Sequence, residues 1–511
     1  MPFNAQIQKN LMITDKLSSS VTPGQPAAAR WIDWLTVVLA ILTIVLGMAI
    51  AVSVGRYGPF VLLAIPLLLI FIAALGQPQL GLVAFIIITI TQLSNVGIKY
   101  HGFPSMAQPL AGLLLLLILV RISLYGERPL GWVRAGPILV IYTLVWFTSL
   151  LYAGDYQIAN TTFVSFAKDM LGAVIVIFFI QQPSSLKGAI WALILAGLFM
   201  ASVSVFQYLT GTFSNNYFGF GGWLAQVSGS SSSHRLTGPY DNPNAYAQVL
   251  AVIVPLAIDR FLNERNLPMR VLAGLAAGLS ALAVVFTYSR GGFLALFFAL
   301  GIYIVLRRPN FIFLVVVLAL AIGLIQFLPD TYSSRLVTLF QLVPSQNALV
   351  TDPSLRGRTS ENVAAWRMFL DHPILGVGIG NYGLNYQDYS REIGLDPRIS
   401  SRTPASLYME LLAEQGLVGI TVFATLLALI FRELYSARKN FQLSGMRDQA
   451  FMVAALFAGL AGYLFSAINK NSAYSNAFWV IVGVALAAGQ VAYNSRQAYL
   501  EKSTKQPEIV E

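Results

Sequence analysis

Apolar residues in this chain come in long, nearly unbroken blocks, without the three- and four-residue rhythm of a helix that is half in water. A helix that crosses the hydrocarbon core of a bilayer takes about 20 predominantly apolar residues. Blocks of that size fall at 31–53, 58–76, 80–98, 106–124, 134–152, 163–181, 187–209, 244–262, 270–287, 291–307, 310–328, 415–433, 449–468 and 474–494, fourteen in all. The pattern predicts an all-α polytopic membrane protein with about 12–14 transmembrane helices. The first block starts too late and runs too long for a cleaved signal peptide.

The polar stretches divide the chain further. Residues 1–30 are rich in Ser, Pro and Ala and read as a disordered cytoplasmic tail, and 495–511 as a second cytoplasmic tail. Between them lie an N-terminal bundle (31–209), a segment with an external loop and central helices (210–328), a large external loop (329–414) and the C-terminal helices (415–494). Almost no loop separates 270–287, 291–307 and 310–328, so these are tight hairpins or partly re-entrant. Two external stretches, 210–243 and 329–414, are too long to be simple turns, and long ordered loops usually carry function.

Composition narrows the chemistry. Of the 511 residues 56% are hydrophobic and 11% charged, against about 25% charged in a soluble globular domain. A soluble enzyme is excluded, and so is a disordered chain. Cysteine is absent, which removes disulfides, thiolate catalysis, iron–sulfur clusters and cysteine zinc sites. The three histidines, His101, His234 and His372, are too scattered for a histidine metal motif, so no metal and no cofactor is expected. The net charge of +10 is explained by cytoplasmic loops, without nucleic acid. With both termini inside, 19 Lys and Arg fall on the inner side and 12 outside, seven of the latter in the loop 329–414. Long loops translocate largely regardless of charge, so both termini are placed in the cytoplasm.

Candidate chemistry gathers on the outer side. His234-Arg235 leads through Tyr240-Asp241-Asn242-Pro243 to Asn244, where Asn244 is positioned to cap the following helix. Arg235 puts a cation at the membrane mouth. In Thr287-Tyr288-Ser289-Arg290-Gly291-Gly292, Arg290 sits at a helix junction where a guanidinium can grip a phosphate with two hydrogen bonds. Arg356 and Arg358 precede an amphipathic helix over 359–371, which His372-Pro373 ends before the turn Gly376-Val-Gly378-Ile-Gly380. With no strand before it, that glycine run is no dinucleotide fingerprint. His372 reads mainly as a helix-terminal hydrogen-bonding group. Thr403 fits an N-cap with Pro404 at the first helical position, ahead of Ala405 and Tyr408. Lys168-Asp169 is a charge pair inside a span, where ions usually face a cavity or a functional path. Cations converging at a lipid interface suggest an anionic headgroup, most simply a diphosphate, whose departure they can assist without a metal.

These motifs resemble those of the O-antigen ligase and polysaccharide polymerase superfamily of bacterial inner-membrane proteins. The resemblance covers about 230–420 and rests on Arg235-x-x-Gly-x-x-x-Asn242-Pro-Asn244, Thr287-x-Ser-Arg290-Gly-Gly, Gly357-Arg358-Thr, Asp371-His-Pro-Ile-Leu-Gly-Val-Gly-Ile-Gly-Asn-Tyr382 and Ser406-Leu-Tyr408-Met-Glu410-Leu-Leu-Ala-Glu-Gln-Gly416. It implies a fold like that of the C-type glycosyltransferases. It also implies inverting, metal-independent transfer or polymerisation of glycan from an undecaprenyl-diphosphate-linked oligosaccharide or polysaccharide at the periplasmic face. The acceptor would be a glycan or a lipid, the partner the bilayer, and nucleic acid none. The resemblance places Arg290 and Arg358 on the donor diphosphate; Arg235, Lys168, Arg356, Asn242, Asn244, Tyr408 and His372 are candidate substrate-binding residues on their own placement in the sequence.

One position departs from the family. Its members carry a histidine, proposed to activate the acceptor hydroxyl, where this chain has Ala405. Alanine cannot take up a proton. An engineered His→Ala change that traps a substrate complex is the favoured account. A natural alanine with Glu361, Asp241 or His234 as base, or an inactive member that binds lipid-linked glycan, are the alternatives. A secondary transporter of an anion is the competing function.

Overall fold

The computed structural model describes residues 61–127, 130–228, 231–308, 353–395, 402–471 and 475–505. The predicted spans 31–53 and 310–328, and the tail 1–30, lie outside the described residues. The chain divides into two compact units, Met1–Pro78 and Gln79–Glu511. The first contributes helix α1 (Val61–Gly76).

The second unit begins with α2 (Pro78–Ile90) and α3 (Leu93–His101), followed by α4 (Ala107–Tyr125), α5 (Leu130–Ser149), α6 (Tyr156–Phe179) and α7 (Pro183–Thr210). A two-stranded antiparallel hairpin, β1 (Trp223–Ser228) with β2 (Ser231–Leu236), pairs Ala225 with His234 and Leu224 with Arg235. Next come α8 (Pro243–Asn263), α9 (Leu267–Phe286) and α10 (Arg290–Arg307), then α11 (Pro353–Asp371), α12 (Tyr382–Ile393), α13 (Leu407–Leu443), α14 (Arg447–Ser466) and α15 (Asn476–Lys505). Among the described residues, nine helices are long and apolar enough to cross a membrane, or ten if the bent pair α2–α3 counts as one span. The chain is an all-α polytopic membrane protein.

The block 80–98, expected to be one span, is broken, with a 55° bend between α2 and α3. Gln92 adopts left-handed backbone angles there (φ 56°). Polar side chains add to the backbone hydrogen bonds at the break: Thr91 Oγ1 donates to Ile87 O at 2.7 Å and Gln92 Nε2 to Thr89 O at 3.0 Å, carbonyls that also accept from the Thr91 and Gln92 amides. The turn between α9 and α10 is as tight as expected, since Thr287, Tyr288 and Ser289 alone separate them.

Helix starts follow local chemistry. Asn242, extended ahead of Pro243, accepts from the amides of Asn244 (2.9 Å) and Ala245 (3.2 Å) and so caps α8. The cap is therefore Asn242 and not Asn244, because Pro243 takes the first helical position and lacks an N–H. Ser289 caps α10 through Gly292 N at 3.1 Å. The N-cap of α13 is Ser406, three residues beyond the expected Thr403, because Thr403 to Ala405 are still non-helical and the helix begins at Leu407.

Packing between spans uses small residues and rings. A Cβ on Gly459 would lie 2.8 Å from Val252 O, on Gly462 2.9 Å from Ala295 O, and on Gly483 3.0 Å from Ala173 O, so backbones meet directly at these crossings. Where α5, α6, α13 and α15 meet, Trp146 stacks on Phe166 at 3.9 Å, with Tyr142, Phe423 and Trp479 around them.

At the ends of α8, α10 and α14 away from Asn244, a buried ionic network joins the three helices. Arg260 donates to Asp259 (2.6 Å) on its own helix and to Asp448 (2.8 Å) on α14. Tyr303 OH donates to Asp259 Oδ1 at 3.0 Å, and Arg307 reaches Tyr303 OH at 2.6 Å. Asp259 and the Arg260 side chain are fully buried. Charge inside spans was expected almost only at Lys168-Asp169. Asp259 and Arg260 add a second charged pair, bonded to each other on α8 and held by Tyr303, Arg307 and Asp448 of α10 and α14, which offset part of the cost of burial.

Candidate functional site

At the opposite ends of these helices the glycine turn and the start of α13 build the floor of a polar region. Gly376, Gly378 and Gly380 all have positive φ (72°, 95° and 69°). Gly378 N donates to Glu414 O at 3.0 Å and Val377 N to Ala413 O at 2.9 Å. This opens α13 at Gly416 (φ 60°, ψ −156°), which lies against Ile374. Asn381 Oδ1 accepts from Asp155 N at 2.7 Å, and Asp155 caps α6, so one turn fixes two helix starts.

Two adjoining cavities open beside this floor and share Ser165 and Asn471. The first, about 480 Å³, is lined by Thr161 and Thr162 of α6, by Arg402, Thr403 and Pro404, and by Glu410 and Glu414 of α13. The second, about 430 Å³, is lined by Gln92 and Asn95 at the α2–α3 bend, by Asp169, Tyr240 and Gln248, and by Lys470 and Asn476. The bend is held to the cavity rim by Gln92 Nε2 donating to Asn476 Oδ1 at 2.9 Å, and Tyr240 OH donates to Ile90 O at 2.6 Å.

Arg402 lines the first cavity and Lys470 the second. Lys470 donates to Asn471 O at 2.7 Å and to the Asn471 side chain. Burial lowers its pKa below the usual lysine value; the charge of Glu410 opposes this and that of Arg358 adds to it. Arg358 of α11 therefore acts on the same spot. Arg290 opens α10, and the next residue, Gly291, lies against Asn469, with its Cβ position 3.7 Å from Asn469 Cβ. Arg235 of β2 donates to Thr287 O (3.0 Å) and to Asn244 Oδ1 (3.4 Å), and Ser289 Oγ donates to the same Asn244 oxygen at 2.8 Å. The structure thus brings Arg235, Asn244, Ser289 and Arg290 together at the α9–α10 turn, with Asn242 below them as the α8 cap.

Other expected residues are placed differently. Lys168 and Asp169 do not act as a pair on one face. Successive helix positions point about 100° apart, so Asp169 lines the second cavity while Lys168 is exposed on the outside of α6. His372 is exposed at the end of α11, its amide donating to Met368 O at 2.9 Å. Arg356 is half-buried, with no hydrogen-bond partner for Nε among the described residues. Tyr408 OH donates to Leu464 O at 2.9 Å, tying α13 to α14. Ala405 is half-buried, following the cavity residues Thr403 and Pro404. Of the alternative bases, Asp241 is ion-paired with Lys99 at 2.7 Å on the exposed surface, His234 stacks on Phe213 at 4.0 Å, and Glu361 is ion-paired with Arg402 at 3.1 Å.

Three site residues carried no weight in the sequence: Glu410, Lys470 and Arg402. Glu410 was quoted only as part of a helix motif, and Lys470 and Arg402 only as external charges. The signal for Glu410 and Lys470 was their ionisable character at span ends, which marks candidate sites in a membrane chain. Among the described residues, no three of Asp, Glu, His and Cys converge in a way that would hold a metal ion.

Fold and site define a multi-pass helical membrane protein with two adjoining cavities at one end of its spans, one lined by Arg402 and one by Lys470. Residues 275–424, from mid-α9 through the first half of α13, match the O-antigen ligase family. The chain is also similar to the teichuronic acid biosynthesis protein TuaE of Bacillus subtilis (strain 168), 24% identical over 438 residues, which cover 81% of this chain and 85% of the relative. These two findings liken the chain to the O-antigen ligase and polymerase proteins.

Proposed function

We propose that this protein is a glycosyltransferase of the bacterial inner membrane. It takes glycan from an undecaprenyl-diphosphate-linked donor and transfers or polymerises it at the periplasmic face, with inversion and without a metal ion. Arg290, Arg358 and Lys470 hold the donor diphosphate, and the adjoining cavities hold the sugars. The reading is supported by Arg402 and Lys470 lining two adjoining cavities, by the charge of Arg358 bearing on Lys470, and by the match of residues 275–424 to the O-antigen ligase family. A diphosphate leaving group gains negative charge as its bond to C1 breaks, and fixed cations in a partly dry site stabilise that charge. Both termini are cytoplasmic on the Lys and Arg distribution, which puts the cavities outside.

The test uses purified protein in lipid nanodiscs with EDTA present. Release of undecaprenyl diphosphate from a lipid-linked oligosaccharide is followed by chromatography. Release is expected to continue in EDTA and to fall at least about tenfold in Arg290→Ala, the cost of losing one charge-assisted contact of roughly 1.5–3 kcal/mol. Release that EDTA abolishes, or that Arg290→Ala leaves unchanged, counts against the reading.

A further inference from the structure

We infer that Glu410 is the group that takes the proton from the acceptor hydroxyl, and that the acceptor sugar occupies the 480 Å³ cavity that Glu410 lines. The inference rests on the glycan-transfer reading above and deepens it.

The reaction needs a proton acceptor where acceptor and donor meet. A lone pair of the acceptor oxygen forms the new bond to C1 of the donor sugar. The bond from C1 to the diphosphate oxygen breaks, and its electron pair leaves with the diphosphate. The hydroxyl proton passes to a carboxylate, so charge and atoms balance without a co-reactant. Among the described residues, no histidine lines either cavity. The acceptor must therefore come from the carboxylates.

Their placement separates them. Glu361 pairs with Arg402 and lines neither of these two cavities. Glu414 is held in the floor: its Oε1 accepts from Tyr382 N at 3.3 Å, and its carbonyl holds Gly378. Asp169 lines the other cavity, on the α6 side. Glu410 lines the 480 Å³ cavity, is 2% exposed, and is close enough to Lys470 for its charge to bear on the ammonium. Lys470 in turn lines the second cavity, and Asn471 lines both. Glu410 thus stands between a cavity lined by Thr161, Thr162 and Ser165 and the Lys470 ammonium. It also sits in the first turn of α13.

The test compares Glu410→Gln, Glu410→Asp and Ala405→His with the chain as it stands, in nanodiscs. The donor is lipid-linked glycan extracted from the strain that encodes the protein, and binding is measured separately with undecaprenyl diphosphate. Glu410→Gln is expected to bind undecaprenyl diphosphate within about twofold of the unaltered chain. Its kcat should fall about 10²–10⁴-fold, the usual contribution of a general base, with KM unchanged and the acidic limb of the pH–rate profile gone. Glu410→Asp should recover part of the rate and keep the limb. If Glu410→Gln fails to fold, Glu410→Asp decides, and an unchanged kcat in it overturns the assignment.

Full activity in Glu410→Gln overturns it as well. Loss of undecaprenyl diphosphate binding in Glu410→Gln would make Glu410 a donor-positioning residue instead. An unaltered chain that binds the donor but transfers only as Ala405→His, or with neither residue, also removes Glu410 from the role and leaves the donor reading standing. No binding of undecaprenyl diphosphate by the unaltered chain would sink the glycan-transfer reading together with this assignment.

Discussion

Lys470 is a half-buried ammonium in a turn outside the spans, and its titration reports on the site. Burial lowers its pKa below 10.5, Glu410 raises it and Arg358 lowers it further. The folded chain therefore holds this proton less tightly than the unfolded chain does. Its contribution to folding stability rises as pH climbs through the lowered folded value towards 10.5. Anion binding runs the other way, because the ammonium is lost in the same window. The affinity for undecaprenyl diphosphate is expected to fall at a pH below 10.5 in the unaltered chain, and to hold in Lys470→Arg, whose guanidinium stays charged. Titrating binding by fluorescence from pH 7 to 10.5 checks this; equal profiles for the two proteins would take Lys470 out of the anion site. At this scale the sequence was legible in type and less so in place. A cation-rich outer face can be read from Arg235, Arg290 and Arg358, but the facing of Asp169 away from Lys168, and the approach of Lys470 to Glu410 across 60 residues, need the helix packing.

Among the elements, the glycine turn and the opening of α13 depend on each other. Gly416 has φ 60° and ψ −156°, and a Cβ there would fall 2.5 Å from Ile374 C; at Gly376 it would fall 2.4 Å from Glu414 C. Each contact is with backbone, which cannot step aside. Gly416→Ala is expected to lose at least about 1–3 kcal/mol from backbone strain alone, with the clash in addition, and to lower Tm and transfer together. Gly278→Ala, in α9 with nothing within 4 Å of its Cβ position, is the control and should gain about 0.5–1 kcal/mol. Thermal unfolding of the two variants in the same detergent tests both signs. Spans were legible because a bilayer demands a length and a polarity that hydropathy records directly, as in α7 (expected 187–209, observed Pro183–Thr210). Breaks inside them were not. The block 80–98 is apolar enough to be read through, and the side chains of Thr91 and Gln92 that stabilise its bend look like two tolerated polar residues until their partners are seen. The start of α13 slipped by three residues because Thr403-Pro404 has the composition of a helix start, while the chain turns once more before Ser406.

On the scale of the molecule, the two ends of α8 do different work. Asn244 at one end accepts from Arg235 and Ser289 beside the cavities, and Asp259 and Arg260 at the other lock α8 to α10 and α14. Arg260 donates to both Asp259 and Asp448, and its side chain is fully buried. Removing one partner of a buried ion pair costs about 3–5 kcal/mol, because the other charge stays in a medium that cannot solvate it. Arg260→Met takes from buried Asp259 its nearest cation and leaves it Tyr303 OH at 3.0 Å and the Arg307 guanidinium at 3.7 Å. A drop of that size in unfolding free energy is expected, read in denaturant. Combining it with Asp259→Asn should return part of the loss, since the stranded charge is gone. Since α8 spans roughly 30 Å at 1.5 Å per residue, neither change reaches the cavities directly. Below the melting temperature, the affinity for undecaprenyl diphosphate should therefore stay within about twofold. A loss of affinity without a loss of stability would mean that the network sets the position of Asn244 and Arg290 along the helix axis, and that the end of α8 away from the cavities governs the site.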